Sequence, residues 1–482
     1  MEKENEIRLE KLNNLTNMGI EAYTSTTLRE KNISEIRENI GKSYWIAGKV
    51  VSLRDHGKST FADLKDESNQ IQIYFKSDIL EKKYEILNHL DIGDYLEVHG
   101  EIFVTHVGET TVKVDDFKIL TKSLLPLPDE WYGFKDTDLR YRKRFVDLLS
   151  NPQVKKNIET HSKIISCLRS FMQKEGFIEV ETPILQPIPG GAAAKPFITH
   201  YNILDADFYL RVSPELYLKR LIVGGFEKIF EVGRCFRNEG LSHMHNPEFT
   251  MFEFYWAYKD YEFLMSFTEK MLSETIENIK GSFEIEYQGG KIDFSPSYPR
   301  IVLSDLIKKD TGIDITKFNE FESLKNEIQN KEIKLDYSEI KVWTKLVDEL
   351  YKKVSRPKLI QPTFIIDHPI ELSPLAKEKD DNPKLTQRFQ LVCGGGMEIV
   401  NAYSELNDPI DQEKRIAEQL KMRKAGWNES ERLDGNFIEA LKYGMPPTAG
   451  WGMGIDRFTM LLTDQYSIKE VIAFPALKPK NN

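Results

Sequence analysis

The stretch that decides the fold is KIFEVGRCFRNEGLSHMHNPEFTMFEFYWAYKDY, residues 228–261. Arg237 and Glu239 are two residues apart, so an extended backbone places them on one face of a first strand. A second strand begins near Phe249, and one of its faces carries Phe249, Met251, Glu253 and Tyr255. An arginine, two carboxylates and a tyrosine on one sheet surface are costly to bury without a charged ligand. A surface ladder of salt bridges is the alternative, but the dense apolar neighbours favour central strands.

The part of the chain that precedes this hairpin has a different residue pattern. Five short runs of alternating apolar and polar residues lie between about residues 43 and 123, separated by Gly and Asp turns. In one of them Ile71, Ile73 and Phe75 alternate with polar or amphipathic residues, the period of a half-buried strand. These runs predict a small β-barrel of the oligonucleotide-binding (OB) type, with a small β-sandwich as the alternative.

These patterns predict a two-part α+β chain. The predicted boundaries are a helical segment at 1–40, the OB barrel at 41–123, a linker at 124–145 and a large α+β domain at 146–482, with a helical insertion at about 300–360. The large domain is expected to contain an antiparallel sheet with flanking helices. Its first helix has Pro152 in the first turn and Gly176 at the stop.

Composition excludes several classes of protein. The 482 residues are 40% hydrophobic and 11% aromatic, which is enough for a real core and argues against disorder. A net charge of −10 argues against nucleic-acid binding over the whole surface, although it leaves room for a local basic patch. The three cysteines form no C-x-x-C pair, which argues against a disulfide framework or a structural zinc site. Without a long apolar run, the chain is expected to be soluble, with no membrane partner, and cytoplasmic.

Familiar nucleotide-binding loops are not found in the sequence. Two Gly-Lys-Ser triplets begin at Gly41 and Gly57, but Ile36 and Ser52 stand where a phosphate loop needs a glycine. The GWGMG run at 450–454 lacks the third glycine of a dinucleotide fingerprint. Both triplets are therefore interpreted as turns, and a Rossmann fold is excluded.

Three separated segments together resemble the signature motifs of class II aminoacyl-tRNA synthetases. GFIEVETPIL (176–185) is similar to motif 1, CFRNEG with HNPEF (235–249) to motif 2, and GWGMGIDRF (450–458) to motif 3. Each motif alone is degenerate, whereas all three in this order are specific. The resemblance spans nearly the whole chain and is closest to class II lysyl-tRNA synthetases. It implies an ATP-dependent enzyme that attaches L-lysine to tRNA(Lys), and a homodimer formed through the motif 1 region around Pro183.

The resemblance implies a set of ATP-binding residues. Arg237 would hold the α-phosphate and the substrate carboxylate, a role that suits a planar, always charged side chain. Arg457 would hold the γ-phosphate and Glu398 would bind Mg²⁺, which makes the two arginines the implied catalytic residues. The remaining contacts would come from Glu239 to the adenine amino group, His245 to the triphosphate and Phe249 to the adenine ring. From the residues alone, His245 could equally be an ordinary loop histidine.

The implied lysine site consists mainly of carboxylates. Glu215 would recognise the ε-amino group, with Glu405 as a second acid, and two buried acids are reasonable only opposite a cation. Such a site rejects uncharged isosteres because its polar groups would be left unpaired. The other implied lysine-binding residues are Gly191, Arg237, Glu253, Tyr255, Asn401 and Tyr403. On its own, Gly191 could be a simple turn.

Two departures from the family pattern concern the metal. The usual R-F-E run reads Arg388-Phe389-Gln390, and a neutral amide in place of a carboxylate makes the number of Mg²⁺ ions uncertain. The following QLVCGGGME is one residue longer than usual, which predicts a bulge before Glu398. An irregularity is required in any case, because Glu398 and Glu405 are seven residues apart and would face opposite sides of an unbroken strand.

In the barrel, the resemblance implies that Arg54, Phe61 and Gln72 read the anticodon. An aromatic ring stacked on an unpaired base, with an amide reading the base edge, is a common way to bind single-stranded RNA. From the residues alone, the alternative is that Phe61 is an ordinary core residue and that Gln72 and Arg54 are ordinary exposed residues.

Three competing functions remain open from the sequence. A related enzyme that transfers lysine to a translation factor would lack the barrel. An aspartyl or asparaginyl enzyme shares the architecture, but Glu215 and Glu405 would repel an acidic substrate. A non-catalytic RNA-binding or regulatory relative is the third, and the presence of Arg237 and Arg457 argues against it.

Overall fold

A computed structural model describes residues 2–126, 136–338, 340–424 and 434–480. Its internal contacts divide the chain into two compact units, Met1–Gly133 and Phe134–Asn482. The first half of the predicted linker falls mostly outside the described residues, and its second half is helical. The domain boundaries drawn from the sequence stay predictions.

The first unit is a closed five-stranded barrel with strand order β1-β2-β3-β5-β4. Ile71, Ile73 and Phe75 are buried inside it while their neighbours in β3 are not, which explains the period-2 pattern. The predicted OB barrel is therefore confirmed. Its strands are β1 (Ser43–Asp55), β2 (Ser59–Lys65), β3 (Gln70–Lys76), β4 (Tyr95–Val104) and β5 (Thr110–Thr121), and its helices are α1 (Glu2–Asn17), α2 (Ile33–Ile36) and α3 (Ser77–Leu80), the last followed by a 3-10 helix at Glu81–His89.

The second unit is built on an eight-stranded sheet with the order β14-β15-β16-β17-β18-β11-β10-β6. The inner strand pairs are antiparallel, but the outermost pairs, β14 with β15 and β6 with β10, are parallel. The predicted antiparallel sheet with flanking helices is therefore confirmed, and the two parallel edge pairs make the sheet as a whole mixed. The strands are β6 (Ile178–Glu179), β10 (Lys228–Phe236), β11 (Glu248–Ala257), β14 (Arg300–Val302), β15 (Thr363–Ile366), β16 (Arg388–Cys393), β17 (Met397–Ser404) and β18 (Thr448–Gly454).

Helices and two small sheets surround the large sheet. One face packs an aromatic core that includes Phe252, Phe254 and Trp451. The small sheets are β7 (Leu185–Gln186) with β9 (Ala206–Leu210) and β8 (Ile198–Tyr201), and β12 (Glu284–Tyr287) with β13 (Gly290–Asp293). The helices are α4 (Thr137–Arg142), α5 (Arg144–Ser150), α6 (Pro152–Lys174), α7 (Glu215–Val223), α8 (Tyr261–Lys280), α9 (Leu303–Thr311), α10 (Phe321–Asn330), α11 (Trp343–Leu350), α12 (Pro409–Lys424), α13 (Gly435–Lys442) and α14 (Ile455–Leu462).

The region 300–360 has an apolar core of its own. Leu306, Leu324 and Leu346, from α9, α10 and α11, are buried together there. A π-helical turn at Tyr351–Ser355 and a 3-10 turn at Arg356–Lys358 follow α11. The region is mainly helical, although its first residues form strand β14 of the large sheet. Among all the helices described, none is long and apolar enough to cross a membrane.

Candidate functional site

A cavity of about 440 Å³ lies over the face of the large sheet formed by β11, β17 and β18. The residues predicted from the sequence to bind ATP or lysine come from distant parts of the chain, and they line this one cavity. They are Gly191, Glu215, Arg237, Glu239, His245, Phe249, Glu253, Tyr255, Glu398, Asn401, Tyr403, Glu405 and Arg457. The fold therefore brings the whole set together, while the ligand of each residue stays a prediction.

One end of the cavity is a cluster of buried acids. Glu215 begins helix α7, Glu253 belongs to β11 and Glu405 follows β17, and each is at most 5% exposed. Lys219, one turn along α7 and fully buried, has its Nζ 2.6 Å from Glu215 Oε1 and forms an ion pair with Glu405 as well. Tyr403 donates its hydroxyl to the same Glu215 oxygen at 2.6 Å. Two of these carboxylates therefore share one ammonium, and the third, Glu253, is close enough to Glu215 for the charge of Glu215 to act on it.

The pKa values reflect this excess of acid. Burial, reinforced by the charge of Glu215, raises the pKa of Glu253 to about 8, although Ser213 and Tyr255 donate hydrogen bonds to its carboxylate at 2.8 and 3.2 Å. Burial also raises the pKa of Glu405 well above its ordinary value, against the attraction of Lys219. Burial acts against the charged form of Lys219, but the two carboxylates beside it raise its pKa to about 12. A second cation in the cavity would therefore be stabilised.

Two glycines make room for these acids. A Cβ at Gly450 would overlap Glu405 Oε1 and would lie 2.6 Å from Tyr255 Cε1. Among the described residues, Oε1 of Glu405 has no hydrogen-bond donor, so an acceptor remains available beside Gly450. Gly191 has a φ of +84°, and a Cβ there would lie 2.8 Å from Cβ of Glu215. Backbone thus approaches the acids where any larger residue would fill the space.

Strand β17 supplies residues to both ends of the cavity because its register is interrupted. Val400 pairs with Leu391 while Glu398 pairs with Val392, so Ile399 is an extra residue. The predicted bulge exists, but it follows Glu398, and the prediction that it precedes Glu398 is wrong. Because the bulge reverses the alternation, Glu398 and Asn401 both line the cavity. Arg388 fixes Asn401 by donating from Nε to Oδ1 at 2.9 Å.

At the other end of the cavity, Arg237 lies beyond its predicted strand. Strand β10 ends at Phe236, so the expectation that Arg237 and Glu239 share a strand face is wrong. The backbone N–H of Arg237 still donates to Pro247 O at 2.8 Å, which holds the start of the loop to the start of β11. The guanidinium lies over the Phe249 ring, 5.1 Å from its centroid. The four residues of the β11 face, in contrast, line the cavity as predicted.

Arg457 and His245 contact each other directly. Arg457, in α14, has Nη2 3.0 Å from His245 Nε2 and Nη1 3.4 Å from the carbonyl oxygen of Glu398. Burial and the positive charges of Arg457 and Arg237 lower the pKa of His245 to about 4. The imidazole is therefore neutral at physiological pH and accepts at Nε2, while Nδ1 donates to Ser242 Oγ at 2.8 Å. His245 is thus held in place at both ring nitrogens, and its role stays a prediction.

A metal site is only partly defined by protein groups. Glu398 and Gln390 both line the cavity, and Gln390 Oε1 lies 3.4 Å from Nε2 of buried His368. Within the described ranges, no three His, Cys, Asp or Glu residues are grouped so that they could hold a metal ion alone. Mg²⁺ is commonly bound through one or two carboxylates together with substrate phosphates and water. The residues present fit an ion of that kind.

Several residues at or beside the cavity were given no role from the sequence, among them Lys219, Arg356, His368 and Arg388. Lys219 was detectable, since it lies four residues after Glu215 and this spacing places both on one helix face. For the other three, the neighbour that matters comes from another part of the chain, and the sequence carries no local signal of it.

The barrel residues named from the sequence lie on three adjacent strands. Arg54 of β1 is opposite Phe61 of β2, and Gln72 of β3 is opposite Asp63 of β2. Phe61 is partly exposed and stacks on Tyr74 with ring centroids 4.7 Å apart, so the alternative of a core phenylalanine is wrong. Gln72 accepts a hydrogen bond from Thr111. The three side chains stay predicted RNA contacts, and Tyr74 extends the aromatic surface beside them.

Comparison with known proteins agrees with this architecture. Residues 136–478 match the family of class II tRNA synthetases (D, K and N), and residues 44–120 match the OB-fold nucleic acid binding domain. The chain is 49% identical to a lysine–tRNA ligase of Pelotomaculum thermopropionicum, covering 98% of this chain and 94% of the relative. It is 49% identical to one of Thermoanaerobacter pseudethanolicus (99% and 96% covered) and 46% identical to one of Dehalococcoides mccartyi (98% and 97% covered).

An OB barrel followed by a mixed sheet carrying all three motifs defines a class II synthetase. The chain belongs to the class II tRNA synthetases and, within them, to the family of the lysine–tRNA ligases.

Proposed function

We propose that this protein is a lysine–tRNA ligase, which activates L-lysine with ATP and transfers the lysyl group to tRNA(Lys). The observation that carries the choice of amino acid is the cluster of three buried acids, Glu215, Glu253 and Glu405, of which only Glu215 and Glu405 share the one internal ammonium of Lys219. A substrate with a second ammonium group balances this charge, whereas aspartate would add to it. The finding also argues against the aspartyl and asparaginyl alternatives.

The proposed reaction has two steps. A carboxylate oxygen of lysine bonds to the α-phosphorus of ATP, the bond from that phosphorus to the bridging oxygen breaks, and pyrophosphate leaves with the electron pair. A hydroxyl of the 3′-terminal adenosine of tRNA then attacks the lysyl carbonyl carbon, and AMP leaves. No side chain has to act as nucleophile, because positioning and charge neutralisation can supply most of such a rate enhancement.

The two arginines act as the catalytic residues in this proposal. Arg237, stacked over Phe249, neutralises the α-phosphate and the lysine carboxylate as they approach each other. Arg457, held by neutral His245, binds the γ-phosphate. Glu239 and Phe249 bind the adenine, through its amino group and its ring face. Gly191, Tyr255, Asn401 and Tyr403 complete the lysine pocket around the three acids.

Glu398 and the amide oxygen of Gln390 are the protein ligands proposed for Mg²⁺, together with ATP phosphate oxygens. Bound there, Mg²⁺ would neutralise phosphate charge and orient the leaving group. Gln390 contributes a weaker, neutral ligand, and His368 limits its orientation through the 3.4 Å contact.

Recognition of tRNA(Lys) is assigned to the barrel surface of Arg54, Phe61 and Gln72, where anticodon bases would stack and be read. The barrel also argues against the alternative of an enzyme that modifies a translation factor.

We further propose a homodimer through the motif 1 region at 176–185 and a cytoplasmic location. Exposed apolar side chains near that motif support the dimer, since Ile178, Ile184 and Leu185 are 44–54% exposed in the single chain.

The test is pyrophosphate exchange into ATP, measured with each of the standard amino acids on the full-length protein. Lysine alone should stimulate exchange, and purified tRNA(Lys) should then be charged. Arg237→Ala should abolish exchange while circular dichroism and the sedimentation coefficient stay unchanged. If no amino acid stimulates exchange, the non-catalytic RNA-binding alternative replaces this proposal, and exchange retained by Arg237→Ala would exclude the role given to that arginine.

A further inference from the structure

Arg356 is an arginine of the cavity that neither the sequence motifs nor the proposed reaction has used. It forms the first residue of the 3-10 turn after α11 and lines the cavity beside Glu398. Its Nε donates to the carbonyl oxygen of Gly396 at 2.7 Å, and its Nη1 is 3.9 Å from Glu398 Oε2. Among the described residues, Nη1 and Nη2 have no hydrogen-bond acceptor, so the forked end of the guanidinium is available to a ligand.

Arg388 of the same cavity is held by the protein at two of its nitrogens. Its Nε donates to Asn401, and its Nη1 donates to the Leu372 carbonyl oxygen and the Ser373 hydroxyl. Arg356 donates a hydrogen bond to the protein only from Nε. This bond orients the side chain and leaves its two terminal nitrogens, Nη1 and Nη2, without a hydrogen-bond acceptor among the described residues. A planar fork of this kind matches two oxygens of one phosphate group.

The glycine turn between β16 and β17 is shaped around Arg356. Gly396 has a φ of +103°, and a Cβ there would lie 3.1 Å from the Arg356 carbonyl oxygen. The N–H groups of Gly395 and Gly394 donate to the carbonyl oxygens of Leu359 and Ile360, at 3.0 and 2.8 Å. The turn that is one residue longer than the family pattern therefore packs along the segment that begins with Arg356.

Three arginines, Arg237, Arg356 and Arg457, line the cavity, and both Arg356 and Arg457 lie beside Glu398. The positive charges of all three lower the pKa of His245, whose ring is in direct contact with Arg457. Three fixed cations close together are unfavourable unless an anion of high charge lies among them. Gln390, which lines the same cavity, is a neutral amide where the family pattern has a carboxylate that would attract a second Mg²⁺.

Building on the proposed function, we propose that Arg356 binds the β- and γ-phosphates of ATP and takes over part of the charge neutralisation that Mg²⁺ provides. The fixed guanidinium acts beside Glu398, on the side of the triphosphate where Gln390 offers only an amide. ATP should therefore bind appreciably even when Mg²⁺ is removed. AMP, which lacks these two phosphates, should not depend on Arg356.

The experiment is calorimetric titration of the full-length protein with ATP and with AMP, in EDTA and in excess MgCl₂. Arg356→Ala should weaken ATP binding in EDTA by about tenfold, in line with the loss of a charge-assisted hydrogen-bonding pair, and leave AMP binding within about twofold. Arg356→Gln, which keeps a donor toward Gly396, should lose ATP affinity in the same way without the packing defect of alanine. Lys358→Ala is the matched control, because this nearby cation is paired with Asp310 at 2.9 Å and does not line the cavity.

The outcomes separate this inference from the proposed function. Equal ATP affinity of wild type and both Arg356 variants in EDTA would overturn the role of Arg356 while lysine-dependent exchange continued. An equal loss for AMP and ATP would overturn it too, since it would indicate only a structural role. If the wild type bound no ATP under any condition, the proposed function itself would fail. A further expected result is that Gln390→Glu makes ATP binding more dependent on Mg²⁺. An unchanged dependence would count against the proposal that Arg356 takes over part of the charge neutralisation by Mg²⁺.

Discussion

Lys219 and Glu405 form a fully buried ion pair that connects helix α7 to the end of strand β17. The same ammonium contacts Glu215, so a lysine side chain of the protein lies on the two acids proposed to recognise a lysine substrate. Its position implies that Lys219 holds these carboxylates in place and neutralises part of their charge. The substrate would then add the second ammonium.

Removing Lys219 should cost stability. In Lys219→Met the buried acids lose the internal cation that they share, and we expect a loss of about 3 kcal/mol in the free energy of unfolding, measured by urea denaturation. Lys442→Met is the control, because its pair with Glu413 is exposed and should contribute less than about 1 kcal/mol. An unchanged stability of Lys219→Met would show that the ion pair does not form.

Replacing Glu215 by Gln should weaken lysine use specifically. Truncating one charge of a buried pair costs about 2–5 kcal/mol, so the KM for lysine in pyrophosphate exchange should rise by at least about 30-fold. The KM for ATP should stay within about twofold, because Glu215 lies at the acid end of the cavity. Lysine activation that survives undiminished would refute the role of Glu215 in binding the ε-amino group.

Lysine binding should depend on pH through Glu253. Because burial raises the pKa of this carboxyl to about 8, the free protein holds it protonated at pH 7, and a bound cation favours the ionised form. Lysine affinity should therefore increase as the pH rises from 6 to 8, with release of a proton. Calorimetry in two buffers of different ionisation enthalpy measures that proton, and Glu253→Gln should abolish its release.

For the same reason, Glu253 should lower the stability of the lysine-free protein at higher pH. Its folded-state pKa lies above the unfolded value, so the unfolded state holds fewer protons and stability falls as the pH rises from about 4.5 to about 8. Urea denaturation across this range, with Glu253→Gln as the comparison, measures the contribution. A difference between the two proteins that stays constant with pH would contradict it.

Gly450 should tolerate no side chain. A Cβ at this position overlaps Glu405 Oε1, so Gly450→Ala should displace the carboxylate and lower the kcat/KM for lysine by about 100-fold, a change near 2.7 kcal/mol. Gly454→Ala in the same strand is the matched control, since a Cβ there would meet no atom of the described residues within 4 Å. Similar losses in both variants would point to the strand backbone instead of Glu405.

Phe61 should matter for tRNA but not for lysine activation. Stacking of one base on an aromatic ring contributes about 1–3 kcal/mol, so Phe61→Ala should raise the KM for tRNA(Lys) by about tenfold or more. Pyrophosphate exchange without tRNA should be unchanged. Tyr95→Ala, an exposed aromatic residue elsewhere on the barrel, should leave both activities as they are. A loss confined to pyrophosphate exchange would contradict the proposed RNA contact.

The sequence predicted features that repeat locally and missed those that depend on long-range packing. Alternation in β3 and β11 identified the barrel and the cavity face, because a period of two leaves a direct trace in the sequence. The extra residue near Gly395 indicated a bulge but not its side, since the position of a bulge depends on which partner residue keeps its pairing. Arg356 had no local signal because its neighbours Gly396 and Glu398 come from a different hairpin.

The bulge at Ile399 has a consequence for how this cavity can change. It uncouples two stretches of one strand, so that Glu398 can serve the nucleotide while Asn401 and the residues after it serve the amino acid. Without the extra residue, side chains would alternate strictly along the strand. The residue that faces the nucleotide would then determine which residues face the amino acid. With the extra residue, the residues that face the amino acid can change to suit a different substrate side chain. The residues that face the phosphates keep their alignment.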